Sequence, residues 1–265
     1  MSIKHGLLLL SLVCGYHANP FLADQDSSSL PVEPTPPIVG GDLAPPGSAP
    51  HMVALFLRGV YKCGGSLISS RTVLTAAHCL SVKVPSLHHG LVGTNSLNSG
   101  GTKIFFERMI SHPDYVVQPN LVMNDIGLLI TAAAVPLTAL VRPVTLSYQR
   151  LGAGVPVRAN GWGTTQAHLG SGSNELLQLF MTSIDDQQCK DAIPQSIVDS
   201  VSIVCAVNSV HHGMCYGDSG SALLRLDSRQ QVGLASWVIP CGKGFPDAFT
   251  RVSPFREFIE THTVL

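Results

Sequence analysis

The amino-acid sequence predicts an all-β protein, built from two β-barrels and followed by a C-terminal helix. Its 265 residues include 25 glycines and 18 prolines, and strongly periodic helical stretches are scarce. Short apolar runs alternate with turn residues in two successive series, with a soft break between them at residues 147–154 (SYQRLGAG). Many short strands separated by turns are typical of barrels, and two series predict two of them.

The strands are predicted in chain order from these apolar runs. The first series lies at residues 51–59, 62–70, 71–79, 103–112 and 125–131, and the second at residues 155–163, 176–184, 221–226, 231–238 and 247–252. Residues 185–193 (DDQQCKDAI) and 253–263 (SPFREFIETHT) are expected to be helical. Each has an Asp or Ser near its start, where a side-chain oxygen can cap free backbone N–H groups.

The N-terminal residues have the features of a secretory signal peptide. Lys4 precedes the apolar run 6–13 (GLLLLSLV), which is too short to span a bilayer. We expect residues 1–18 to be the signal peptide and residues 19–37, rich in Pro, Ser and acidic residues, to be a propeptide. No other segment is long enough for a membrane span, so a secreted protein without a membrane partner is predicted.

Composition excludes some partners and indicates an oxidising compartment. Charged residues make up 12% of the chain and the formal net charge is −1, which argues against binding to nucleic acid.

Seven cysteines are present, and Cys14 would leave with the signal peptide. The six that remain are an even number, which in an exported chain suggests three disulfides, although spacing alone permits 15 pairings.

Three short stretches together point to nucleophilic catalysis. His78 lies beside a cysteine in LTAAHC, Asp125 stands at the entrance to an apolar strand in NDIGLLI, and Ser219 lies on a glycine-flanked turn in GDSG. An imidazole can take the serine proton, a buried carboxylate can fix the imidazole tautomer, and backbone amides can receive an oxyanion. Each residue alone has a simpler explanation, such as a surface histidine or a turn aspartate, so the combination carries the prediction.

Together with IVGG, CGGSLIS, NGWGT and ASW, these stretches resemble the chymotrypsin/trypsin family of serine endopeptidases over residues 38–265. The resemblance implies two antiparallel six-stranded Greek-key barrels, at residues 38–148 and 149–265, with the active site between them. It also implies three disulfides, namely Cys63–Cys79, Cys189–Cys205 and Cys215–Cys241.

The resemblance assigns a role to each candidate catalytic residue. Ser219 is expected to be the nucleophile, His78 the general base and then acid, and Asp125 the group that orients His78. The backbone N–H groups of Gly217 and Ser219 are expected to form the oxyanion hole. The strand Ser236-Trp237-Val238 is expected to hold the substrate backbone in an antiparallel ladder.

Family members are made as zymogens, and this implies a role for Asp218. Cleavage before Ile38 would create an α-ammonium that folds inward and pairs with Asp218. We therefore expect the uncut chain to be inactive, with Asp218 unpaired and its loop disordered. Pro37 departs from the family, which mostly carries Arg or Lys there, and residues 19–37 hold no Lys or Arg at all.

The expected specificity pocket has Gly213 as its floor, followed by Met214 and Tyr216. Because the floor carries no acid, strict trypsin-like specificity is not expected. Val238 and Asp247 are expected to form the wall. Val238 would narrow the slot as in elastases, whereas a glycine floor with an aspartate wall resembles the crustacean collagenases. Broad cleavage after apolar residues is predicted, with some cleavage after Arg or Lys; alternatively, Asp247 pairs internally and does not affect substrate choice.

No cofactor is expected, and no metal either. The stretch 93–98 (GTNSLN) lacks the glutamates that bind calcium in trypsins, and the paired histidines 88–89 and 211–212 are expected to lie in solvated loops. The expected partners of a monomeric enzyme are protein or peptide substrates, an activating protease and protein protease inhibitors. The rival hypothesis is a protease-like protein that binds or regulates without cleaving.

Overall fold

A computed structural model describes residues 38–119, 121–164, 172–193, 198–238 and 241–265. The predicted signal peptide (1–18) and propeptide (19–37) lie outside these residues. No helix in the described part of the chain is long and apolar enough to cross a membrane.

The first half of the chain forms a closed antiparallel barrel of six strands. Its order is β2-β3-β4-β9-β6-β5, and two further strands, β7 and β8, pair as a separate hairpin. The strands of this half are β1 (Asp42–Leu43), β2 (Met52–Leu57), β3 (Val60–Leu67), β4 (Thr72–Thr75), β5 (His88–Val92), β6 (Thr102–Ser111), β7 (Val116–Gln118), β8 (Leu121–Met123) and β9 (Gly127–Thr131).

The second half forms the other barrel. Its order is β11-β10-β13-β14-β15-β12, the barrel closes by pairing of β12 with β11, and β1 adds to the outer edge of β11. The strands are β10 (Pro156–Gly161), β11 (Leu177–Ser183), β12 (Ile203–Val207), β13 (Ala222–Arg225), β14 (Gln231–Trp237) and β15 (Asp247–Arg251). The predicted all-β fold of two six-stranded antiparallel barrels is confirmed.

Alternation of side chains explains how these strands face the cores. In β11, Leu177, Leu179 and Met181 point into the second barrel, whereas Phe180 between them is exposed. Successive residues of a strand point to opposite faces, so one apolar row is enough to line a barrel. Strand β9 is buried along its whole length because both of its faces are covered: Leu129 packs in the core of the first barrel, and Leu128 packs in a cluster with Leu234 of the second barrel.

Both predicted helices are present. Helix α1 (Asp186–Ala192) begins with a capping box, in which the Asp185 side chain accepts from the Gln188 N–H and the Gln188 side chain accepts from the Asp185 N–H. Helix α2 (Arg256–His262) begins later than the sequence suggested, because residues 253–255 form a separate 3₁₀ turn containing Pro254. Phe258 and Ile259 of α2 pack against residues of both barrels.

Candidate functional site

His78 lies in a 3₁₀ helix, Ala77–Leu80, that directly follows β4. The disulfide Cys63–Cys79 ties this helix to β3. The ring Nδ1 of His78 lies 2.8 Å from Asp125 Oδ2, and the backbone N–H of His78 donates to Asp125 Oδ1 at 2.9 Å. Because the same carboxylate holds both the ring and the backbone, the imidazole has one fixed orientation.

Asp125 is 1% exposed and is therefore more deeply buried than the partly buried carboxylate that the sequence predicts. Asn124 before it has a φ of 52°, a left-handed conformation that Asn tolerates better than most residues and that turns the chain into β9. The Ser236 hydroxyl donates to Asp125 Oδ2 at 2.6 Å, and the Thr250 hydroxyl donates to the Asp125 carbonyl at 2.9 Å. The second barrel thus supplies the hydrogen bonds that make burial of this acid tolerable.

Ser219 is half-buried on the turn between Cys215 and β13, and it lines one cleft with His78 and Asp125. The turn requires left-handed backbone at Gly217, with φ of 96°, and at Gly220, with φ of 80°. The Ser219 carbonyl accepts from the Gly64 N–H at 2.8 Å. The structure therefore brings the three residues predicted from separate motifs to one place.

The peptide groups before Gly217 and Ser219 are both held through their carbonyls. Tyr216 O accepts from the Thr164 N–H at 2.7 Å, and Asp218 O accepts from the Ser221 N–H at 3.0 Å. In a planar trans peptide the N–H points opposite to the C=O, so these bonds fix the directions of the Gly217 and Ser219 N–H groups. Two preoriented donors are what an oxyanion site requires.

Tyr61 is a site residue that sequence reasoning missed. Its hydroxyl donates to the Gly217 carbonyl at 2.7 Å, and its ring packs edge-on against Trp162 and Phe56. Burial, together with the negative charge of Asp218, raises the pKa of Tyr61 well above its usual value, so the hydroxyl remains a donor. In the sequence, a Tyr within VYKCGGS indicates only an ordinary strand residue.

Asp218 is fully buried behind Ser219. Its Oδ1 accepts from the Gly163 N–H at 2.8 Å and its Oδ2 accepts from the Cys215 N–H at 2.9 Å. Burial raises the pKa of Asp218 from 3.8 to about 7, although both backbone hydrogen bonds act to lower it. Asp218 forms no ion pair with another described residue, and two backbone amides satisfy its carboxylate. The expected disorder of this loop in the uncut chain stays a prediction.

Ile38 is also fully buried, in the core of the second barrel. Next to it, the carbonyl of Val39 accepts from the Gly213 N–H at 3.0 Å, which ties this segment to the residues before Met214. A Cβ at Gly161 or Gly163 would lie 2.0 Å and 2.4 Å from carboxylate atoms of Asp218. The glycines of NGWGT therefore make room for the acid.

The cleft beside Ser219 has a volume of about 310 Å³ and contains most of the predicted pocket residues. Those lining it are Met214, Tyr216, Ser236, Trp237, Val238 and Asp247. Gly213 is not among the lining residues and lies behind them, where an added Cβ would sit 3.3 Å from Asp247 Oδ1.

The Asp247 carboxylate already has a partner inside the protein. Its Oδ2 accepts from the Met214 N–H at 2.7 Å. Burial raises the pKa of Asp247 to about 7; the Met214 hydrogen bond opposes this shift and the charge of Asp218 adds to it. One carboxylate oxygen thus has an internal partner, while the side chain still lines the cleft.

The β7–β8 hairpin forms part of the cleft that the sequence did not predict. Tyr115, Val117 and Val122 all line it. The stretch YVVQPNLVM carries a Pro-Asn pair between two apolar runs, which is a turn signal that could have identified the hairpin.

The cysteine and histidine side chains of the described residues do not form a metal site. Cys63, His78 and Cys79 cluster, but the two cysteines are bonded to each other. The expectation of solvated histidine loops is wrong for His88, which is buried in β5, a strand of the closed first barrel. Its Nδ1 lies 3.0 Å from the Val84 carbonyl. His89 follows it in β5 and stacks on Phe56.

The three disulfides join the pairs that the resemblance implied: Cys63–Cys79, Cys189–Cys205 and Cys215–Cys241. Disulfides form and persist in oxidising environments, so they are consistent with an extracellular protein.

Comparison with known proteins finds a matching family model, similar sequences and a similar solved structure. The family model described as Trypsin matches residues 38–259. Chymotrypsin-2 of Vespa crabro is 37% identical over 226 residues, covering 84% of this chain and 98% of the relative. Brachyurin of Leptuca pugilator is 32% identical over 231 residues, covering 85% and 98%. The solved structure of neuropsin, a serine protease of mouse brain, superposes with a TM-score of 0.76 at 31% identity, covering 83% of this chain and 97% of that one.

Proposed function

The chain belongs to the trypsin family of serine endopeptidases, and we propose that it cleaves protein substrates with Ser219, His78 and Asp125 as its catalytic residues. The observation that supports this most directly is the cleft in which all three side chains meet, with His78 Nδ1 2.8 Å from Asp125 Oδ2. Serine endopeptidases act through an acyl-enzyme intermediate, and the residues present suit both halves of that reaction.

In the first half, Ser219 Oγ attacks the scissile carbonyl while His78 Nε2 takes the hydroxyl proton. Asp125 accepts from Nδ1–H, so that Nε2 is the nitrogen left free to act as a base. His78 then gives the proton to the leaving amine. In the second half, water attacks the acyl-enzyme by the same proton route and releases the acid.

The oxyanion that forms in each half is assigned to the N–H groups of Gly217 and Ser219. Their orientation is supported by the bonds to the Tyr216 and Asp218 carbonyls. Removal of one such donor typically costs about 2.7–4 kcal/mol of transition-state stabilisation. Ser236 and Trp237 at the end of β14, together with Val238 after it, are assigned to the substrate backbone, which would add as an antiparallel strand.

A fluorophosphonate probe tests the catalytic assignment. The processed protein should be labelled at Ser219, and Ser219→Ala and His78→Ala should each lose labelling and most of kcat, with the double variant losing little more. Ser221→Ala is the matched control, since Ser221 lies two residues away but is fully buried. A processed protein that is neither labelled nor active would indicate the non-cleaving rival instead.

Activation is proposed to follow removal of residues 1–18 and 19–37 and to depend on Ile38 and Asp218. The full burial of both residues supports this, and so does the raised pKa of Asp218, because a nearby ammonium would stabilise its ionised form. Since Pro37 does not suit a trypsin-like activator, a protease of other specificity is proposed to cut the Pro37–Ile38 bond.

Engineered activation tests the Ile38–Asp218 pair. The variant Pro37→Lys should be inactive until trypsin cuts it, and Asp218→Asn in the same background should remove most of the activity gained. Removal of one partner from a buried ion pair typically costs about 3–5 kcal/mol, enough to open such a loop. Full activity of the uncut precursor would contradict the scheme.

The P1 preference is proposed to be broad: Leu, Met, Phe and smaller apolar residues, with some Arg or Lys. Val238 and Asp247 both line the cleft, and we assign them the roles of narrowing it and of attracting a basic side chain. In a peptide library, Asp247→Gly should lose cleavage after Arg and Lys while keeping cleavage after Leu and Phe. An unchanged profile would show that Asp247 serves only the Met214 N–H.

The enzyme is proposed to be secreted, monomeric and controlled by protein inhibitors. The disulfides and the apolar run at residues 6–13 support secretion. N-terminal sequencing of the mature protein from culture medium, with light scattering for its mass, tests secretion, processing and oligomeric state together. A mature chain that begins at Met1, or a dimer, would contradict the corresponding proposal.

A further inference from the structure

A second cleft lies between the two barrels and shares no lining residue with the one that holds Ser219. Its volume is about 610 Å³. It is bordered by the loop before β2 (47–51), the connection between the barrels (142–145), β10, β13 and the turn between β13 and β14 (228–230).

The lining of this cleft is basic. Arg142, Arg158 and Arg229 reach it from three different segments, and no Asp or Glu is among the described residues that line it. None of the three is in an ion pair with another described residue. The acid closest in sequence, Asp227, is bound to Arg225 by two hydrogen bonds.

The guanidinium group of Arg158 is near enough to Arg229 to be affected by its charge. Burial lowers the pKa of Arg158, and the positive charge of Arg229 lowers it further. Like charges gathered without a counter-charge destabilise a fold, and an anion between them would offset that cost.

Buried polar atoms around the cleft also lack partners among the described residues. These are Arg158 Nε, Ser48 Oγ and His51 Nε2. His51 is 4% exposed, and burial, together with Arg158, lowers its pKa to about 3. Its imidazole is therefore neutral at physiological pH and carries one N–H that can be donated. Buried polar atoms without partners are uncommon and call for an explanation such as an unfilled ligand site.

We propose that this cleft, the arginine cleft (Ser48, His51, Arg142, Arg158 and Arg229), binds a sulfate or phosphate group, either as a free ion or as part of a sulfated polysaccharide. Guanidinium groups match the oxygens of such anions in pairs, and the hydroxyl and imidazole add neutral donors. Because residues of both barrels contribute, the bound anion ties the barrels together and stabilises the folded chain.

Thermal unfolding in sodium sulfate, with ionic strength held constant by sodium chloride, tests the proposal on the full-length chain. The Tm should rise by about 3–6 °C when free sulfate reaches ten times its Kd. Arg142→Gln and Arg229→Gln, both at exposed positions, should each raise the Kd about tenfold. Arg108→Gln is the matched control, an exposed arginine outside the cleft, and should leave the Kd unchanged.

Equal sulfate shifts in the wild type and all three variants, or no shift in any of them, would overturn the proposal. A heparin-derived octasaccharide and its desulfated form separate the two sources of the anion. If the sulfated octasaccharide binds far more tightly than sulfate and loses affinity in Arg142→Gln and Arg229→Gln, the group belongs to a polysaccharide. If Arg142→Gln and Arg229→Gln weaken the binding of sulfate and the octasaccharide does not bind at all, the site takes the free ion.

Discussion

The Tyr61 hydroxyl donates a 2.7 Å hydrogen bond to the Gly217 carbonyl, although the two residues are 156 positions apart in the sequence. This bond holds the peptide between Gly217 and Asp218, the link between the two N–H groups assigned to the oxyanion. Tyr61 is therefore expected to act as a positioning residue without touching the substrate.

Replacement of Tyr61 by Phe should lower kcat about two- to tenfold with little change in KM, because one neutral hydrogen bond is lost and the ring packing remains. Steady-state kinetics on a peptide substrate measure this. Tyr148→Phe, at a tyrosine that packs on Arg256 away from the cleft, is the control. Wild-type kcat in Tyr61→Phe would show that the loop keeps its shape without the bond.

The two hydroxyl groups that donate hydrogen bonds to Asp125 are expected to affect different properties, one the catalytic rate and the other the stability of the fold. Ser236→Ala removes a donor to the carboxylate oxygen that faces His78 and should lower kcat about tenfold. Thr250→Val removes a donor to the Asp125 carbonyl and should cost about 1 kcal/mol of unfolding free energy with kcat near the wild-type value. Urea unfolding and kinetics on both variants check this, and a reversed order of kcat losses would refute the assignment.

Cleavage after basic residues should depend on pH through Asp247. Its pKa of about 7 means that the carboxyl is mostly neutral at pH 6 and mostly ionised at pH 8. The ratio of kcat/KM for a P1 Arg substrate to that for a P1 Leu substrate should therefore rise roughly tenfold over this range. Effects of pH on the catalytic steps that both substrates share cancel in the ratio. A ratio that stays flat, or an equal rise in Asp247→Asn, would contradict the prediction.

Gly64 and Ser221 are expected to be coupled through a steric contact. A Cβ at Gly64 would lie 2.1 Å from Ser221 Oγ, so Gly64→Ala should cost about 1–3 kcal/mol of stability. Ser221→Gly clears the space, and the double variant should lose less than the sum of the two single changes. Because Ser221 Oγ is buried without a partner among the described residues, Ser221→Ala alone should stabilise the protein by about 1 kcal/mol. Additive losses in the cycle would mean that the loop moves aside.

Prediction from sequence succeeded where the signal is local. The strand predicted at residues 176–184 and the acidic cap of α1 can be predicted from a few neighbouring residues, because apolar runs and caps are local features. The motifs around His78, Asp125 and Ser219 identified residues that the fold brings together, since each motif also carries the turn or strand that positions its side chain.

Features that depend on distant partners were missed. Tyr61 acquires its contact only when β3 lies beside the Gly217 turn, and His88 is buried only because β5 closes the first barrel. The β7–β8 hairpin joins the cleft through its placement and not through any catalytic residue type. The hydrogen bond to Asp218 from the Gly163 N–H likewise depends on a distant partner, since Gly163 lies two residues beyond the end of β10.

Asp125 is part of the first barrel by chain connection, yet Ser236 and Thr250 of the second barrel hold it. A chain divided within the connection, residues 132–155, would leave all six strands of each barrel on one fragment. Neither fragment alone would have a supported carboxylate, so hydrolysis would return only when the halves reassociate. The two fragments could therefore serve as a split-enzyme reporter, in which the rate of substrate hydrolysis measures how much of the two halves has reassociated.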